Sequence, residues 1–367
     1  MALLLQLKPD MIMGSAYLPP VSHVLPLAII RRERRLPLAG AVAVRINQKV
    51  MASDVVAEGE APPRHVFLDL ARGLGVPVHE VGRYLRSQRG DALEAGEVLA
   101  GPAGMGRRTV RAPSDGIVVS ISNGRLLFRM HSGVLELKAG FPATVVGTDG
   151  VQTVLLETTG ALIQGMWGNG NNDFGVMRVV GDGPGDRLQT DRLDADLRGA
   201  ILVAGICDHP APLHQATGIS ARGIVLGGLA SELIPVAARL PYPVIVTTGF
   251  GPLPLDNPTF NLLSSNAGRE VALDARKYNP SDGSRPEVII PLPPTSEADL
   301  PEDVIPLKEG VRVRLARPPY HGSVGVVREM LARAVDYPSG ILARSARVDL
   351  DGVGLTIVPV DNLEVLQ

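Results

Sequence analysis

Three groups of residues in this 367-residue chain have types and spacing that could do chemistry. The first is Cys207-Asp208-His209, followed by His214. A thiol, a carboxylate and two imidazoles this close together could ligate a metal, or could pair a sulfur nucleophile with a base. Strand ends also carry hydrogen-bonded histidines for structural reasons alone. The second group is Thr247-Thr248-Gly249, continuing into Phe250-Gly251, which could form a wall of a small-molecule site beside the first. The third is Arg312, Arg314, Arg317, Tyr320 and His321, which could contact phosphates and stack one base. Arginines alternating along a strand are equally what a solvent face looks like.

The elements that must position the first two groups are readable from period. Residues 199–205 (GAILVAG) form a continuous apolar run of the buried parallel-strand type. Residues 221–227 and 243–247 repeat it, and 270–274 supply a fourth strand. Helices are predicted between them over 209–220, 231–239 and 257–266. The last has Asp256 or Asn257 as cap and Pro258 in its first turn. This alternation predicts a small α/β domain over 190–276 with a mainly parallel sheet. Cys207 and Thr247 then lie at the C-terminal ends of their strands, where open α/β sheets place ligands.

The remainder reads as short strands and tight turns. Residues 1–35 are an extended lead-in ending in the cluster Arg31-Arg32-Glu33-Arg34-Arg35, either a phosphate- or lipid-binding patch or a solvated strand flank. Residues 36–180 are predicted as β, with a helical hairpin inserted at about 65–87 on apolar positions at helix spacing. Within them, 90–121 reads as a hairpin with a Gly-rich tip at 101–106, and 36–59 as a weaker copy of it. The loop 165–175 holds the only tryptophan, Trp167, among glycines and asparagines. It could form a backbone nest for an anion, or a turn plugged by Trp167 and Phe174. Residues 277–306 are a Pro- and acid-rich linker with one strand-like run at 288–290. From 307 to 367 alternation returns at Val311, Val313 and Leu315, with a turn at 318–322 and an Asp351-Gly352 hairpin.

Three resemblances follow from these stretches. GDALEAGEVLAGPAGMGRRTVRAPSDGIVVSI, from Gly90 to Ile121, resembles the biotinyl/lipoyl-like barrel-sandwich hybrid family. In that family the hairpin tip presents a lysine that forms an amide to the cofactor. Here the tip reads Gly104-Met105-Gly106-Arg107-Arg108, and no lysine lies between Lys49 and Lys138. A guanidinium stays protonated and is a poor acyl acceptor. The resemblance therefore implies a structural or docking module with no attachment site. The α/β segment resembles the swivelling domains of phosphotransfer enzymes. It lacks their phosphorylated histidine after the G-I-V strand, where Leu226-Gly227-Gly228-Leu229 stands instead. Residues 307–367 resemble the KOW/SH3-like barrel of transcription- and ribosome-associated proteins, which implies a nucleic-acid or protein partner.

Composition narrows the rest. A net charge of −2 provides no global field to attract nucleic acid. One cysteine permits neither an intramolecular disulfide nor a multi-cysteine metal site. No stretch approaches 18 apolar residues, so no transmembrane segment is expected, and a cytoplasmic bacterial protein is. The expectation is a multi-domain, β-rich α+β protein without a cofactor. It has a barrel-sandwich region with a helical insert, a small α/β layer and a C-terminal SH3-like barrel. It acts as a scaffold or adaptor, associated through the last barrel with RNA, DNA or a transcription/translation assembly. The alternative is an enzyme or enzyme subunit with a ligand or metal site at the α/β strand ends.

Overall fold

The structure is a computed structural model that describes residues 17–279, 281–294 and 297–367. The first sixteen residues of the expected lead-in, and positions 280, 295 and 296 of the expected linker, lie outside it. The fold is β-rich, with several sheets and, among the described residues, no closed barrel.

The first described residues join two sheets. Val21–Ser22 pairs in parallel with the last strand of the chain, at Val365 and Leu366. After His23 the chain continues as β1 (Val24–Arg35) in a different sheet. His23 Nδ1 lies 3.0 Å from Gln164 Oε1, pinning the crossing point. Three of the four arginines ending β1 are paired with carboxylates. Arg31 pairs with Glu157 at 2.7 Å, Arg32 with Glu287 at 2.6 Å, and Arg34 with Asp274 at 3.4 Å.

The segment expected as a helical hairpin is part strand. His65–Asp69 (β2) pairs antiparallel with Arg125–Met130 (β4), which also pairs with Gly116–Ser122 (β3). Burial alternates along HVFLD, and pairing with β4 outweighs the helix spacing that Val66 and Leu70 satisfy. A five-residue helix, α1 (Leu70–Leu74), follows. Asp69 caps it by accepting from the Arg72 N–H, and Gly75 at φ +70° ends it. A 3₁₀ turn spans Val78–Tyr84 behind Pro77. Leu70, Leu74, Val81, Leu99, Leu126 and Phe128 give this lobe its own core.

The largest sheet has eleven strands. Thr153–Gln164 (β5) pairs along its length with β1. Asn172–Val179 (β6), Ile201–Cys207 (β7), Gly223–Leu229 (β8) and Val244–Phe250 (β9) are parallel neighbours in that order. Glu270–Asp274 (β10) runs antiparallel to β6, and Glu287–Pro291 (β11) joins β10 to β5. The sheet thus takes strands from both sides of the turn at 181–187 and from the Pro-rich stretch. Every residue of β7 and β8 is buried, as their unbroken apolar sequences require. Leu202 and Ala204 pack with Leu213 and Ala216 of α2 (Pro210–Gly218). Ile201 and Val203 pack on the opposite side with Leu263 of α3 (Asn257–Ser265).

The 165–175 loop resolves as a clasp. Trp167 pairs with Val246 and meets the Phe250 ring edge-on, with ring centroids 5.9 Å apart. Asn169 Nδ2 donates to Tyr242 O, and Asn171 Nδ2 to Leu240 O, both at 2.8 Å. The asparagines therefore hold the turn leading into β9 in place.

The C-terminal residues form a six-stranded sheet of Arg312–Leu315 (β12), Val324–Met330 (β13), Ser345–Leu350 (β14), Gly354–Pro359 (β15) and Leu363–Leu366 (β16), with Val21–Ser22. The order is Val21–Ser22, β16, β12, β13, β14, β15, so β15 is an edge. Among the described residues no helix is long and apolar enough to cross a membrane.

Candidate functional site

The structure joins the second and third chemical groups at one junction, where β9 and the N-terminus of α3 meet β12 and β16. Thr247, Thr248 and Gly249 form the C-terminal end of β9. Both hydroxyls are bonded to backbone: Thr247 Oγ1 donates to Leu226 O at 3.1 Å and Thr248 Oγ1 to Pro254 O at 2.8 Å. The chain then turns to Asp256, whose Oδ1 accepts the Thr259 N–H at 2.8 Å and caps α3. Asp256 Oδ2 is buried without a hydrogen-bond partner, 3.9 Å from Arg314 Nη1.

Arg314 is the centre of the junction and is 1% exposed. Its Nη1 donates to Thr247 O at 3.1 Å, while Nε and Nη2 donate to Glu364 Oε2 at 3.1 and 2.8 Å. The other Glu364 oxygen receives Arg285 Nη2 at 2.6 Å, and the Arg285 guanidinium lies 4.7 Å from the centre of the Tyr278 ring. Burial alone would push the Glu364 carboxyl up, but the Arg314 and Arg285 charges outweigh it and hold it below the usual carboxylate range. With Asp256 included, two guanidiniums face two carboxylates, so the buried charge is balanced.

His321 closes the junction from the C-terminal sheet. Its Nε2 is buried without a partner. Burial, and then the Arg314 charge, hold its imidazole below the ordinary histidine value. A cleft of about 270 Å³ remains here, lined by Thr248, Leu253, Asp256, Asn257, His321 and Ser323.

The Cys207 group does not converge with this junction or on itself. The Cys207 thiol is buried, donates to His209 O at 3.4 Å, and is pushed up to about 11, chiefly by burial. Asp208 is held by Arg187 at 2.6 Å, while the His209 ring is 79% exposed and 4.0 Å from Asp208. His214 lies on the exposed side of α2. Among the described residues no three His, Cys, Asp or Glu side chains come together to hold a metal ion.

Of the remaining residues in the third group, Arg312 is exposed and pairs with Asp351 at 3.5 Å, and Arg317 is exposed. Tyr320 packs against the C-terminal core. Arg314 is thus an interior residue of the sheet and presents no guanidinium to a phosphate.

Sequence reasoning passed over Glu364 and Arg285. A signal existed for the first: an acid inside the apolar run Leu363-Glu364-Val365-Leu366 needs an interior cation. For Arg285, in a stretch read as linker, no local pattern marks its burial. Neither a protein-family model nor a curated protein matches the chain.

Proposed function

We propose that the protein is a non-enzymatic adaptor that docks into a larger assembly through its C-terminal unit, with a transcription or translation assembly as the candidate host. The finer reading of its parts rests on resemblance: a barrel-sandwich-like N-terminal region, an α/β layer of swivelling type, and a KOW/SH3-like C-terminal unit acting in the cytoplasm. The observation that supports this reading is the seal over the end of β9. Arg314 and His321 of the C-terminal sheet lie against Thr247–Gly249, so this part of the sheet end, where open α/β sheets take ligands, is filled by protein, while the end of β7 at Asp208 and His209 stays open.

What faces outward instead is β15. It is the sheet edge, and its Leu355 and Ile357 are 61% and 41% exposed. An unpaired edge accepts an extended segment of a partner protein through main-chain hydrogen bonds, with alternate side chains giving selectivity. The test is a pull-down of tagged full-length chain from native lysate, with and without nuclease, read by mass spectrometry. The adaptor reading expects a discrete set of proteins. Persistence after nuclease assigns docking to protein, and loss assigns it to nucleic acid. An eluate holding only the chain itself contradicts the reading.

One observation favours a second reading, an enzyme or enzyme subunit. Asp256 Oδ2 and His321 Nε2 both lack a hydrogen-bond partner, and both residues line the same cleft. With the buried charge balanced, that cleft suits a small uncharged molecule with a hydrogen-bond donor. Ligand-induced stabilisation that is lost in Asp256→Asn would move the function there.

A further inference from the structure

The N-terminal lobe carries a surface that the readings above leave unused. Ten arginines and six carboxylates lie between Arg64 and Met130, a positive surplus within a chain of net charge −2. All ten arginines are exposed. Among the described residues none of the ten is within ion-pair distance of a carboxylate, whereas eleven arginines elsewhere are. About half of the arginines outside this lobe are paired with carboxylates, and none of the described ones within it is.

Two of these arginines, Arg72 and Arg125, line the same groove as an exposed aromatic ring. In the sheet of β2, β4 and β3, Phe67 is opposite Leu127, which is opposite Ser120. One row along, Asp69 is opposite Arg125 and Arg125 opposite Ser122; in the other direction His65 is opposite Arg129. Alternation puts Leu126 and Phe128 in the core, so these rows share the outer face. Phe67 is 73% exposed there. The face forms the wall of a groove of about 870 Å³, lined also by Arg72, Val78, Asn123 and Arg125. The Arg108 guanidinium reaches over Gly75 at its margin, in the space a Cβ there would take. The Asp69 carboxylate is engaged as the α1 cap.

We propose that this groove binds single-stranded nucleic acid, with Phe67 stacking on a base and Arg72, Arg108 and Arg125 taking phosphates. A solvent-facing ring between unpaired guanidiniums, with serine and asparagine beside it, is the combination that holds an unpaired strand. A duplex offers no free base face to Phe67. An acidic peptide would use the arginines and leave the ring idle, and a flat anionic membrane would not enter a recessed groove. The site lies on a different lobe from β15, so its failure would leave the pull-down result standing.

The test is fluorescence anisotropy of the full chain with fluorescein-labelled dT and rU 12-mers. Binding should saturate and weaken roughly twentyfold between 50 and 200 mM salt, as about three phosphate contacts to a single strand require. Phe67→Ala should weaken it about tenfold at constant salt, and Phe67→Trp should restore it. Circular dichroism should show both variants folded, since the ring is outside the core. Arg125→Ala should weaken binding and reduce the salt slope by about one contact. The proposal is overturned by no saturation at 50 mM salt, or by Phe67→Ala binding as wild type, which means undirected polyanion binding. Equal competition by phosphatidylserine vesicles, or loss only in Arg312→Ala/Arg317→Ala, also overturns it, since either places the anion site elsewhere.

Discussion

The imidazole of His321 occupies the space that a side chain on Gly249 would need. A Cβ built there lies 2.8 Å from Cε1 and 2.9 Å from Nε2, and Gly249 has φ +150°. Two chain segments 72 residues apart therefore meet ring against backbone, and that approach brings the C-terminal sheet onto the end of β9.

Gly249→Ala should accordingly destabilise the protein by about 1–3 kcal/mol, through overpacking and an unfavourable backbone. His321→Ala in the same chain should recover most of the packing part. A thermal-denaturation double-mutant cycle checks this; additive effects would mean the two residues do not meet.

Glu364→Gln should cost about 3 kcal/mol, because it leaves Arg314 and Arg285 buried without their carboxylate. Its pH dependence is defined. The folded-state pKa of Glu364 lies below the unfolded one, so its contribution is complete above the ordinary carboxylate range. It is lost as pH falls through the folded value. Denaturant midpoints from pH 7 down to pH 3 should fall more steeply for wild type than for Glu364→Gln.

Cys207 should be inert. With its thiol pushed up to about 11, only about one molecule in 10⁴ is thiolate at pH 7. Iodoacetamide should label native protein orders of magnitude more slowly than glutathione, and label it readily in denaturant. Fast native labelling would restore Cys207 as a nucleophile candidate.

Asn169→Ala should destabilise by about 2 kcal/mol, read by chemical denaturation. The side chain donates to Tyr242 O at 2.8 Å and accepts the Val244 N–H at 3.1 Å, so truncation strips groups at the start of β9.

How far these features were legible depends on the range of the contacts behind them. The buried runs of β7, β8 and β9 are local, and their sequences spell them out; the cap of α3 was legible as Asp256 or Asn257, and the Thr259 N–H bond to Asp256 decides it. β2 was hidden because Val66, Phe67 and Leu68 are apolar in a row, without the alternation that marks a strand, and only its partner β4 decides. Arg314 looked like a solvent-facing arginine. Its burial depends on Glu364, fifty residues on, and on Thr247, sixty-seven residues back. Phe67 and Arg125 share a face only through pairing register, which a one-residue slip would erase.

Docking through the C-terminal unit, as proposed, makes β15 the surface to disrupt. The most direct measurement compares captured proteins, after nuclease, between wild type and Leu355→Lys/Ile357→Lys, two exposed positions on β15. Wild type should capture a discrete partner set that disappears with the folded variant. An identical set from both proteins would contradict such docking, as would no partner from either with or without nuclease.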